Sequence, residues 1–445
     1  MRLGFLPIDN RPVCYTLPEQ IAGIDGSLEI FMPPREMLGD LTKYADVEKI
    51  FEWLEQLPKM DAIVISLDTA AYGGLISSRR CPETFEEIRC RIEKLKRILA
   101  KKNARVYAFS SIMRISNNNI NEEEKEYWNV WGKEIFNYSY ITHKTGENPE
   151  NSIPEEILTD YLNTRKRNFE INKIYLEWQK EGLFDTLVFS KDDCAEYGLN
   201  VLEASELEKL GGFVKTGADE IPLTLMARAF SGEVKIAPVF SNPECKHLIS
   251  NYEDVSIEQS VNGQIELAGC KVCGENEADI ILYVNNFENS QGEIVMKRDT
   301  KPFGGIWHEP QKPYMIADVR FANGADNAFV KQIFQRSINE KNFYGYSAWN
   351  TSANTLGSLI CAAKCKFLAE EFNLNAFKRL ETVRFLDDWA YQANVRQKLL
   401  RPDNEKIKQL MKPFEEEIAK FLNTEILTTY SFPWNRLFEV EVELI

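Results

Sequence analysis

Two adjacent carboxylates, Asp192 and Asp193, directly follow the strand-like run DTLVFS and Lys191. Neighbouring acids repel unless something uses them, and a pair that shares one proton titrates as a coupled system, as a general acid beside an orienting carboxylate must. Other acids close other strand-like runs: Asp9 after RLGFLPI, Asp68 after AIVISL, Asp219 with Glu220 after GFVKTGA, and Asp318 at the end of YMIAD. In α/β enzymes the loops beyond the carboxyl ends of parallel strands form the open crevice, so these acids are candidates for substrate contact. Asp192 and Asp193 are the catalytic candidates; Asp9, Asp68, Asp219 and Asp318 are expected to bind substrate.

Polar and aromatic residues accompany the acids. Pro12 biases Arg11 to an extended conformation that would aim its guanidinium across the strand ends, where a fork of donors suits a carboxylate or two sugar hydroxyls. The alternative for Arg11 is a salt bridge to Asp68. Tyr72, Gly73 and Gly74 follow Asp68, and the two glycines allow positive φ or close backbone approach. Arg79, Arg80 and Arg114 are sources of counter-charge, and Tyr197 follows the acidic pair. Trp349 and Asn350, after the last core strand, supply a stacking platform and an amide for a sugar, while Asn354 or Thr355 could simply cap the next helix. GxGxxG spacing and a Walker lysine are both absent around the Asp68 loop, which excludes a phosphate loop there.

The elements that must position these residues alternate. Strands are expected at 2–8, 62–67, 105–110, 186–190, 212–216, 235–240, 280–284, 314–317 and 344–348, mostly as short continuous apolar runs. Amphipathic helices lie between them, such as 83–102 with Phe85, Ile88, Ile92, Leu95 and Leu99 on one face. The fold class is therefore α/β with a mainly parallel sheet. Eight or nine strands fit a (β/α)8-type barrel with insertions; the alternative is a set of doubly wound α/β domains. Residues 1–357 are expected to form the catalytic domain, with a helical insertion at about 117–182, and 358–445 a helical region ending in a strand.

Composition narrows the partners. A formal charge of −15 with only three histidines argues against a phosphate-backbone binder, so no nucleic-acid partner is expected. His143, His247 and His308 show no ligand spacing, and no cofactor or resident metal is expected. The N-terminal apolar run is too short for a signal peptide and no run approaches a membrane span, which gives a cytoplasmic expectation without a membrane partner. Nine cysteines, an odd number scattered through the chain, read as thiols. The expected partner is a small molecule or oligosaccharide.

The motifs IDNRP, SLDTAAYGGLISSR, FSKDDCAEYGLN, TGADE, ADVRFANGAD and AWNTSANTLG together resemble a bacterial domain-of-unknown-function family, number 4127, whose name implies no activity. The pair Asp192–Asp193, at the end of the fourth counted strand, is also similar to the acidic pair of substrate-assisted β-N-acetylhexosaminidases. That resemblance implies Asp192 as the partner of a 2-acetamido group, Asp193 as the acid that protonates the leaving oxygen, and sugar-binding positions at Arg11 and Trp349. The expected function is hydrolysis of a 2-acetamido glycoside. A Mg²⁺- or Mn²⁺-dependent hydrolase or phosphoryl-transfer enzyme built on the same acids is one alternative, and a non-catalytic carbohydrate-binding protein is another.

Overall fold

The computed structural model describes every residue of the chain except Asp193, Ser337 and Ile338. It is a mixed α/β structure with mainly parallel sheets, and its chain divides into two compact units. Unit 1 comprises Met1–Tyr15, Glu29–Pro222 and Tyr252–Asp254; unit 2 comprises Thr16–Leu28, Leu223–Asn251 and Val255–Ile445.

Unit 1 carries strands β1 (Arg2–Leu6), β2 (Glu29–Phe31), β3 (Ala62–Ser66), β4 (Arg105–Ile112), β5 (Thr186–Lys191) and β6 (Phe213–Thr216). They pair in the order β2-β1-β3-β4-β5-β6, every pair parallel. All five residues of β3 are buried, which explains the continuous apolar run: a strand covered on both faces has no solvent side to make polar. Ile63, Ile65, Ala108 and Phe189 of the sheet pack in one core with Ile88, Ile92 and Leu95, the buried stripe of the helix Phe85–Leu99. A capping box between Thr84 and Glu87 fixes where that helix begins. Between β4 and β5 lie the helices Trp128–Thr145 and Glu155–Lys180.

Unit 2 begins its sheet anew. Strands β7 (Lys235–Phe240), β8 (Lys271–Val272) and β9 (Ile280–Asn285) are followed by the short β10 (Gly292–Glu293), then β11 (Tyr314–Asp318), β12 (Phe321–Ala322) and β13 (Phe343–Ser347). Five of them pair in parallel in the order β13-β11-β9-β7-β8, while β10 and β12 form a separate parallel pair. The C-terminal part is helical, with Leu374–Arg384, a π-helical stretch Phe385–Val395 and Asn404–Leu422. It closes with β14 (Thr428–Ser431) and β15 (Glu441–Leu444), an antiparallel pair.

Both large sheets use the same opening move. The second strand lies on one side of the first and the third on the other, giving 2-1-3-4-5 in each sheet and a sixth strand at the edge of unit 1. A strand order of 2-1-3-4-5 places a switch point, where successive connections diverge, between the first and third strands. In unit 1 the switch point lies between β1 and β3, the strands that deliver Asp9 and Asp68.

Two expectations are corrected here. Asp318 does not share a sheet with Asp9, Asp68, Asp192 and Asp219; it ends β11 of the second sheet, because β6 is an edge strand and β7 pairs with β8 and β9. The strand before Asp192 is the fifth, not the fourth, because β2 is only three residues long, Glu29 among them, too short to stand out as a strand.

Candidate functional site

Because all strands of the unit 1 sheet run in parallel, their carboxyl ends share one edge. Asp9 follows β1, Asp68 follows β3, Arg114 follows β4, Asp192 follows β5 and Asp219 follows β6. Asp192 comes immediately after the last residue of β5, so the acidic pair begins where the alternation of an extended strand has ended.

Arg11 is the structural centre of this edge. Its Nη1 and Nη2 donate to the two carboxylate oxygens of Asp219 at 3.1 and 2.5 Å, and its Nε donates to Asp9 at 2.9 Å. The Arg11 backbone N–H also donates to Asp9, at 2.9 Å. In a flat sheet β1 and β6 would lie about 19 Å apart, four strand spacings, far beyond one arginine side chain. The loops after β1 and β6 therefore converge. The expected fork of donors is present, but its partners are Asp9 and Asp219 in place of Asp68. All three side chains are at most 8 % exposed. Burial raises the Asp219 carboxyl above its usual range, Arg11 lowers it, and Asp9 raises it again.

Asp68 stands in the first turn of the helix Leu67–Tyr72, whose N-cap is Ser66 and whose C-cap Gly73 has φ 84°. Its Oδ2 accepts from the Ser111 backbone N–H at 2.8 Å. Burial pushes the Asp68 carboxyl up to about 7, offset in part by Ser111 and by the charge of Arg79. Tyr72 is buried in the hydrophobic core, with the Arg167 guanidinium 5.3 Å from its ring centroid.

A second charged cluster joins β4, β5 and the segment before the helix Trp128–Thr145. Arg79, only 2 % exposed, donates from Nη1 to Glu124 at 2.9 Å. Arg114 meets Glu123 at 2.9 Å, Glu124 at 3.3 Å and Asp192 at 3.7 Å. Burial and the neighbouring Arg114 charge lower Arg79 from the usual arginine range. Lys191 pairs with Asp254 at 2.5 Å, so its charge is directed to that residue. Tyr197 packs edge-on against Tyr140 and His143, each ring 5.4 Å away. Asp193 lies outside the described residues.

The other candidates belong to unit 2. Asp318 is fully buried, accepting from Asn285 at 2.8 Å, from the Asp326 backbone N–H at 2.8 Å and from Tyr346 Oη at 3.2 Å. Burial, then the Asp326 charge, pushes it up to about 7. Trp349 is buried against Phe438, and Asn350 takes a left-handed conformation at φ 59° while its carbonyl accepts from Asn323 N–H. The capping expectation resolves onto Thr351, whose side chain accepts from Asn354 N–H.

Sequence reasoning missed Glu123, Glu124, Ser111 and Asp254. The glutamates sit in the run NEEEK, which reads as a solvated charge run until Arg79 and Arg114 are seen to converge on it. Among the described residues, no group of three or more His, Cys, Asp and Glu side chains is placed to hold a metal ion, and no helix is long and apolar enough to cross a membrane.

Glu220, beside Asp219, provides a prediction about stability. It is fully buried, and burial pushes its carboxyl from 4.5 up to about 8. A carboxyl raised in the folded state holds its proton better folded than unfolded, so wild-type stability falls as pH rises from 4.5 through about 8. Glu220→Gln should remove that loss and gain on the wild type across this window, read as urea midpoints from about pH 5 to about pH 9. Parallel pH profiles for the two proteins would refute the assignment.

Residues 3–443 match the family model described as Protein of unknown function (DUF4127), and the chain belongs to that family. No match is found among curated proteins or solved structures.

Proposed function

We propose that unit 1 is a glycoside hydrolase acting on a 2-acetamido sugar at the carboxyl edge of its parallel sheet. Asp192 carries this reading: it follows β5 immediately, lies on the same sheet edge as Asp9, Arg11, Asp68 and Asp219, and has Arg114 3.7 Å away as counter-charge. A carboxylate there can accept from the acetamido N–H and turn the acetamido oxygen toward the anomeric carbon. Asp193 protonates the glycosidic oxygen as the C–O bond breaks. The acetamido oxygen forms the new bond to carbon, and water then opens the cyclised intermediate. Asp9, Arg11 and Asp219 hold the surrounding loops in place through their buried ion pairs.

The experiment is inhibition by a thiazoline analogue of the cyclised intermediate. If the acetamido group is the internal nucleophile, the thiazoline should inhibit turnover of an aryl 2-acetamido-2-deoxyglycoside competitively and bind at least a hundredfold more tightly than substrate, since catalysis favours what forms during the reaction, roughly 10²-fold or more. Turnover unaffected by the thiazoline would remove the substrate-assisted mechanism.

A further inference from the structure

Unit 2 contains a cavity of about 800 Å³, within the range of small-molecule sites. It lies off the amino-terminal end of β13, lined by Glu340 and by Phe343, the first residue of that strand. Phe334 and Phe421 stack with centroids 4.2 Å apart on one part of the wall. Phe377 contributes a third ring, and Phe343 lies 6.2 Å from it. These walls suit an apolar body.

The polar lining is unequal. Arg336, Lys378 and Lys420 contribute three positive groups, against Glu340, Glu417 and Glu381. Lys378 is paired with Glu340 at 2.6 Å. Glu381 is 1 % exposed and accepts from the Tyr346 backbone N–H at 2.9 Å; burial pushes its carboxyl up to about 8. With Lys378 held by Glu340 and Glu381 buried, the exposed charges left on the lining are the cations Arg336 and Lys420 and the single anion Glu417.

We propose that this cavity binds a small amphiphile, an alkyl or aryl body bearing one carboxylate or sulfonate group. The body lies among Phe334, Phe343, Phe377 and Phe421, and the anionic group faces Arg336 and Lys420. This inference is independent of the reading of unit 1.

The test uses the full-length chain and 1-anilinonaphthalene-8-sulfonate as probe, followed by fluorescence and displaced by decanoate. One saturable site is expected. Leu374→Trp, at the exposed start of the helix Leu374–Arg384, should crowd the aromatic wall where the body of the ligand lies, and Lys420→Glu should reverse the charge of the mouth. Each should weaken probe binding at least tenfold while near-ultraviolet circular dichroism and the unfolding midpoint stay at wild-type values. Absence of saturable binding, or wild-type binding in both variants, would overturn the proposal.

Discussion

Arg11→Met should destabilise the protein by about 3–5 kcal/mol at pH 7, the range for removing one partner of a buried ion pair. Two buried carboxylates, Asp9 and Asp219, lose their shared counter-charge at once. Without Arg11 the Asp219 carboxyl loses the charge that offsets its burial and keeps the repulsion of Asp9, so it is raised further. The deficit should therefore be largest at neutral pH and shrink as pH falls and Asp219 takes up its proton. Adding Asp219→Asn to Arg11→Met should recover part of the loss by removing one of the two charges. Urea unfolding of the wild type and both variants at two pH values measures this. An Arg11→Met variant within about 0.5 kcal/mol of wild type, the scatter of ordinary surface changes, would show that the cluster does not hold the loops after β1 and β6 together.

Much of unit 1 was legible because its core strands are short, apolar and each followed by a charged residue. Ala62–Ser66 and Arg105–Ile112 are runs whose burial on both faces leaves no ambiguity of face, and the stripe Ile88, Ile92, Leu95 identified its helix by period alone. β2 was not legible: three residues, none fully buried, owe their strand conformation to pairing with β1. Its absence from the sequence reading shifted the strand count and hid the switch point between β1 and β3. Pairing between strands is non-local, so a row of strand-then-acid segments reads the same whether it builds one sheet or two, and Asp318 was assigned to the wrong one for that reason. The partners of Arg11 were half visible. Asp9 is two residues away, whereas Asp219 is 208 residues away and no spacing rule connects them. The burial of Asp68 was hidden too, since a strand-end acid in sequence carries no sign of whether its loop is open or covered.

The second large effect concerns chemistry. Asp193→Asn should reduce turnover of a 2-acetamido glycoside by about a hundredfold or more, as loss of a general acid does, while the unfolding midpoint stays close to wild type. A substrate whose leaving group needs no proton, such as a dinitrophenyl glycoside, should lose much less. That contrast separates an acid from a residue that merely shapes the loop: a shaping residue would slow both substrates alike, or lower the midpoint without changing activity per folded molecule.

The most direct measurement for the central claim is turnover by the purified protein on parallel panels of aryl glycosides and aryl phosphoesters, each with and without EDTA. The account predicts hydrolysis of the 2-acetamido-2-deoxyglycoside at the same rate in the presence of the chelator, and no phosphoester cleavage. Phosphoester cleavage that EDTA abolishes and added Mg²⁺ or Mn²⁺ restores, with no glycoside turned over, would contradict it.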